Sequence, residues 1–236
     1  MAPLLRIENL EVRFGDAAPV LRPLTLEIAR GELLALVGES GSGKSVTALS
    51  LLRLLPPTAR LSGGIYFYSG DNAVDLLRIS DPELQAIRGN RIAFIFQEPM
   101  TALNPVLTCG RQLTEVLRWH KGLSKPEAAR EAIGWLEKVR LPDPAGMMKR
   151  YPHQLSGGQK QRVMIAMALC CGPDLLICDE PTTALDVTVQ KTILELIRSL
   201  QLELGTAVLF ITHDLGVVAD IADRVAILYR GELLES

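Results

Sequence analysis

Gly38-Glu39-Ser40-Gly41-Ser42-Gly43-Lys44-Ser45 fits the spacing G-x-x-x-x-G-K-[ST], a loop built to hold phosphate. Its glycines let backbone N–H groups close around phosphate oxygens with no Cβ in the way. Lys44 sets a compact positive charge against β- and γ-phosphates, and Ser45 offers a hydroxyl to Mg²⁺. The apolar run Leu33 to Val37 precedes the loop and a helix-like stretch follows it, with Val46 completing the nucleotide-contacting run. That helix turns its unpaired N–H groups and positive dipole end on the same anion. The octapeptide therefore predicts a nucleoside triphosphate as ligand.

Two further constellations suit the same chemistry. Asp179-Glu180 follows the apolar strand Leu175 to Cys178, and a carboxylate at a strand's C-terminal end lies where α/β folds bind ligands. Asp179 suits a Mg²⁺ shell and Glu180 the general base that polarises an attacking water. Leu155-Ser156-Gly157-Gly158-Gln159 precedes the helical stretch Lys160 to Cys171 and forms a second anion site at a helix N-terminus. One nucleotide rarely needs two γ-phosphate cradles from one chain. The economical arrangement is a head-to-tail pair in which each chain completes the other's site. Lys160 and Arg162 read as helix-surface charges.

The elements that must position these residues alternate between strand and helix. Leu5 to Phe14 and Leu24 to Ile28 alternate as half-exposed strands, and Gly63 to Tyr68 reads as another antiparallel strand. Lys44 to Leu55 reads as a helix stopped by Pro56-Pro57. Arg91 to Phe96 is a short buried strand. From Leu107 to Met148 helical periodicity takes over, with loops at Gly122 and Pro142-Asp143-Pro144. The core resumes at Leu175, continues through a helix from Val187 to Leu204 and strand Ala207 to Ile211, and closes on strand Arg224 to Tyr229. This order predicts an α/β fold with a largely parallel sheet flanked by helices, plus an inserted helical subdomain.

Composition narrows the class. At 236 residues, 48% hydrophobic and 22% charged, the chain is globular rather than disordered. A net charge of −2 argues against a dedicated nucleic-acid binder. Cys109, Cys170, Cys171 and Cys178 form no C-x-x-C pair and read as small core residues in a reducing compartment. Neither a secretory leader nor a membrane span is legible, so any membrane role must come through a partner.

With these motifs in this order, the chain resembles the nucleotide-binding domain of an ATP-binding cassette (ABC) transporter along nearly its whole length. The resemblance implies a single cassette over 1–236 with a P-loop NTPase core. The core takes in 31–57, 81–97 and 173–236, the antiparallel β-subdomain 1–30 and 58–80, and the helical subdomain 98–172. Phe14 then matches the aromatic that stacks on adenine. Gln97 matches the glutamine that contacts Mg²⁺ and the attacking water. Ser156, Gly157, Gly158 and Gln159 bind the γ-phosphate across a dimer. Asp179 and Glu180 match the Mg²⁺-shell aspartate and the catalytic glutamate. Asp186, in Ala184-Leu185-Asp186, also acts in trans, and His213 matches the switch histidine near the γ-phosphate. Lys44, Gln97, Glu180 and His213 form the implied catalytic set, with Mg²⁺ held by Ser45, Gln97 and Asp179.

Phe96 to Pro105, Tyr151 to Gln154 and Glu180 to Gln190 narrow the resemblance to the ATPase subunits of bacterial dipeptide/oligopeptide/nickel importers. That group implies a peripheral subunit on the cytoplasmic face of the cell membrane. Its partners are a second ATPase subunit, identical or different, two membrane permeases and, indirectly, an extracytoplasmic binding protein. Members usually continue past the last strand with a Cys-containing extension; this chain stops at Ser236, as a shortened form or the first half of a fused double cassette does. The alternative reading is a soluble ABC ATPase acting on DNA or ribosomes. Residues 45–178 leave no room for a long coiled coil, and zinc-finger cysteines and a charged linker are missing.

Overall fold

The computed structural model describes residues 3–70, 72–97, 102–183 and 185–235, which divide into two compact units. The first unit takes in residues up to Arg88 and from Gly205 onward; the second runs from Gly89 to Leu204.

In the first unit, β1 (Pro3–Phe14), β2 (Leu21–Ala29), β4 (Ala59–Ser69) and β5 (Asn72–Asp75) form an antiparallel sheet in the order β2-β1-β4-β5. Beside it in sequence, β3 (Leu33–Val37) pairs in parallel with both β8 (Ala207–Thr212) and β9 (Arg224–Tyr229). β10 (Glu232–Glu235) returns antiparallel to β9. Every residue of β3 and β8 is buried, which is why both read as unbroken apolar runs rather than alternating ones. Ala35 and Val37 pack on Val218 of helix α8 (Leu215–Ile221).

α1 (Lys44–Leu51) ends earlier than its sequence suggests. Arg53 takes a positive φ of 48°, and the Arg88 guanidinium donates to the carbonyls of Leu52 and Arg53. A side chain 35 positions away thus satisfies the carbonyls that the next helical turn would have used. Arg88 itself follows α2 (Asp81–Ile87), which opens on a Ser80–Glu83 capping box with proline in its first turn.

In the second unit, β6 (Ile92–Ile95) and β7 (Leu175–Asp179) run parallel, with Ile95 opposite Cys178. The helices are α3 (Cys109–Lys121), α4 (Lys125–Lys138), α5 (Pro144–Met147), α6 (Gly157–Leu169) and α7 (Val187–Leu204). Gly122, at φ 66°, closes α3 in the left-handed conformation its lack of a Cβ permits. α6 packs on β6 and also on α3 and α4. Among the described residues, no helix is long and apolar enough to cross a membrane.

Candidate functional site

The phosphate-loop residues sit where a parallel strand ends. β3 stops at Val37, Gly38 to Gly43 turn, and α1 begins at Lys44. Gly43 caps α1 at φ 106° and Gly41 lies at φ 79°, conformations closed to most side chains. Lys44 is buried, and its Nζ donates to the carbonyls of Gly38 at 2.7 Å and Glu39 at 2.9 Å. The loop is tied from outside by the Gly231 N–H, which donates to the Ser42 carbonyl at 2.9 Å. The Ser42 hydroxyl is buried with no hydrogen-bond partner among the described residues. A buried hydroxyl left unpaired is costly.

Gly38 has no space for a side chain: a Cβ there would stand 2.1 Å from the Leu228 carbonyl oxygen. Gly38→Ala is therefore expected to push the loop off β9, costing about 1–3 kcal/mol and lowering Tm in a thermal melt. An unchanged Tm would contradict this packing.

His213 follows the end of β8. Because Val37 pairs with Thr212, the register brings Gly38 and His213 out at the same edge of two adjacent parallel strands. His213 is exposed, and the Thr212 hydroxyl accepts from the Asp214 N–H at 3.0 Å, turning the chain there. Phe14 ends β1 opposite Ala59 and is half-buried.

In the second unit the same logic repeats. Ile95 opposite Cys178 makes Gln97 and Glu180 neighbours beyond the carboxyl ends of β6 and β7. The Gln97 Nε2 donates to Glu180 Oε2 at 3.2 Å. Asp179 is buried at 6% exposure, while Glu180 is half-buried. Glu180 has φ 45° although it precedes Pro181, a combination that strains a non-glycine backbone by roughly 1–2 kcal/mol. Sequence reasoning missed what holds it. The Thr183 hydroxyl lies 3.0 Å from Glu180 Oε2 and 3.3 Å from the Glu180 carbonyl oxygen, donating toward both. The Thr-Thr pair after Pro181 was visible in sequence, but its meaning depends on the turn that Glu180 makes.

Ser156 caps α6. Its hydroxyl accepts from the Gln159 N–H at 3.3 Å, and the Gln159 carboxamide accepts from the Ser156 N–H at 3.1 Å. α6 therefore starts at Gly157 rather than Lys160, because a reciprocal capping box satisfies its first donors. Asp186 caps α7, accepting from the Val189 N–H at 3.0 Å. The two segments meet: Ser156, Gly157, Gly158, Gln159, Leu185 and Asp186 line one open cleft of about 390 Å³. A Cβ on Gly158 would come within 2.8 Å of Val189. Lys160 is not a surface charge, and Arg162 is only partly one. Lys160 is 7% exposed, and Arg162 is half-buried, donating to the Val139 carbonyl at 2.7 Å. α6 is flanked by α3, α4 and α7, so its charged side chains lie among helices. Glu98 to Thr101, from the importer-like block, and Ala184 lie outside the described residues.

Residues 21–183 match the family model described as ABC transporter. The dipeptide transport ATP-binding protein DppD of Bacillus subtilis is 50% identical over all of this chain, which covers 70% of that relative. A probable peptide ABC transporter ATP-binding protein, y4tR of Sinorhizobium fredii, is 52% identical over 98% of the chain and 70% of the relative. The glutathione import ATP-binding protein GsiA of Salmonella typhimurium is 52% identical, but the chain spans only 38% of its length. Among solved structures, the dimeric ATP-binding cassette MJ0796 bound to ADP and Pi superposes with a TM-score of 0.83 at 32% identity, covering 98% of this chain and 97% of that one. CbiO1 of Clostridium perfringens, part of the cbiONQ transporter complex, gives 0.82 at 28% identity, covering all of this chain and 88% of that one. The expected α/β P-loop fold is thereby borne out, with the likeness covering 98–100% of the chain. It belongs to the ABC transporter family, as one of its ATP-hydrolysing cassettes.

Proposed function

We propose that this cassette binds Mg²⁺-ATP between two subunits and that its hydrolysis drives import of peptides, or of nickel, through a membrane transporter. The observation that carries the chemistry is Glu180: a carboxylate at a strand's end, set on strained backbone and gripped by Gln97 and Thr183. Peptide as cargo rests on the whole-chain similarity to dipeptide and peptide transport proteins.

In this reading Phe14 stacks on adenine. Backbone N–H groups of Gly38, Glu39, Ser40, Gly41, Ser42 and Gly43, with the α1 N-terminus from Ser45 to Val46, hold the phosphates. Lys44 leaves its loop carbonyls for the β- and γ-phosphates. Ser45, Gln97 and Asp179 offer hydroxyl, carboxamide and carboxylate oxygens, a hard donor set that fits Mg²⁺, which supplies charge neutralisation when bound. Glu180 takes a proton as water attacks the γ-phosphorus and ADP departs. His213 donates toward the γ-phosphate. Ser156, Gly157, Gly158, Gln159 and Asp186 of the second subunit close on the same phosphate from across the interface, a reading supported by their sharing one cleft.

The partners in this account are a second ATPase subunit, identical or different, and two permeases reached by an extracytoplasmic binding protein. The cassette sits peripherally on the cytoplasmic face of the membrane. No observation favours action on DNA or ribosomes.

The import reading is tested by uptake. Cells lacking this chain are expected to lose accumulation of a labelled dipeptide and regain it on complementation. Separate arms with nickel and glutathione distinguish the cargo; unchanged uptake of all three would contradict import.

Thr183 yields a subtler expectation. Thr183→Val removes a charge-assisted hydrogen bond from Glu180 and is expected to lower kcat about tenfold with KM for ATP unchanged. Thr183→Ser keeps the hydroxyl and should restore most of the rate. Equal loss in both variants would mean that the residue matters for shape alone.

A further inference from the structure

Four cysteines are free in this chain, and ATP chemistry uses none of them. Two are adjacent. α6 ends at Leu169, Cys170 continues in helical geometry, and Gly172 at φ 67° turns the chain away. The two sulfurs lie 4.0 Å apart. They differ in setting. Cys170 is fully buried and donates to the Met167 carbonyl at 3.3 Å, whereas Cys171 is half-buried beside exposed Gly172. The Lys121–Glu131 ion pair, joining α3 to α4, lies close enough to act on both thiols electrostatically.

We propose that Cys170 and Cys171 form a vicinal dithiol that hydroperoxides convert to a labile intrachain disulfide, Cys171 attacking and Cys170 resolving.

Access and acidity run the same way. The contact with the Cys170 thiol, in which either sulfur can donate, is the largest influence drawing the Cys171 thiol below its ordinary range, and the Lys121 charge adds to it against burial and Glu131. The same hydrogen bond and burial push Cys170 up. The reachable thiol is thus the better source of thiolate, the form that reacts. Cys109 and Cys178 are buried, and burial raises both thiols. They serve as internal controls.

The step balances. The Cys171 thiolate displaces alkoxide from the peroxide O–O bond, giving a sulfenic acid and, after protonation, an alcohol or water. The Cys170 thiol then displaces water from that sulfenic acid, forming the S–S bond. Across a trans peptide adjacent Cα atoms stand ~3.8 Å apart, short of the roughly 4.4–6.8 Å usual for a disulfide. The product is therefore strained and readily reduced, the character of a reversible modification rather than a structural staple.

The test treats the intact reduced chain with hydrogen peroxide, then alkylates it under denaturing conditions and maps the peptides by mass spectrometry. The peptide holding 170–171 is expected to lose two hydrogens and recover them with dithiothreitol, while Cys109 and Cys178 remain fully alkylated. Cys171→Ser should leave Cys170 unoxidised. Cys170→Ala should halt at a Cys171 sulfenic acid that dimedone traps. Sulfinic acid at Cys171 without a disulfide in the parent chain would overturn the proposal, as would equal oxidation of all four cysteines. So would a Cys170 in Cys171→Ser that oxidises as fast as the parent pair.

Discussion

Replacing Glu180 by Gln is expected to stop ATP turnover while leaving ATP binding intact. The substitution preserves size and the backbone at φ 45°, and it removes the carboxylate assigned to take a proton from water. Loss of a positioned general base costs roughly 10²–10⁴-fold in rate, so phosphate release should fall to background within that range. The phosphate loop is untouched, because Lys44, Ser42 and the α1 N-terminus belong to a different segment. Fluorescent-nucleotide titration should therefore give an unchanged Kd. Turnover at the parent rate would remove Glu180 from its assigned role and, with it, the role given to Thr183.

Ser156→Arg is expected to abolish hydrolysis without weakening ATP binding to the isolated subunit. Ser156 is exposed at the start of α6 and shares its cleft with Asp186. An arginine there fills the cleft and removes the hydroxyl of the capping box, at a stability cost of about 0.5–2 kcal/mol. If the cleft receives the partner's nucleotide, the effect falls on the assembled pair alone. Parallel loss of ATP affinity in the monomer would mean that the Ser156 segment works within its own chain. Circular dichroism separates either result from simple unfolding.

Much of this was legible in the sequence because the residues concerned sit at element ends, where local type and local structure coincide. Gly38 to Ser45 carry their own backbone requirements, and Gly41 and Gly43 adopt positive φ angles that a Cβ would oppose. Asp179 follows an unbroken apolar run and lands, buried, at the last position of β7. Ser156 and Gln159 stand three apart and make the capping box that spacing permits. What escaped depends on partners distant in sequence. α1 ends early because Arg88 caps it. Lys160 lies buried because α6 packs among other helices, which its own residues do not announce. Thr183 gains a role only once Glu180 turns back toward it. Short edge strands such as β10 lack the length for periodicity to register. The cargo is legible only through relatives, since no residue of the phosphate loop or the Ser156 cleft bears on what is transported.

Two half-sites, the Lys44 loop of one subunit and the Ser156 cleft of another, are expected to close on one ATP. Sedimentation velocity of the Glu180→Gln chain, with and without ATP, tests this most directly. A monomer is expected without nucleotide, a dimer with ATP, and a return to monomer when Ser156→Arg is added. A Glu180→Gln chain that stays monomeric while saturated with ATP would contradict it.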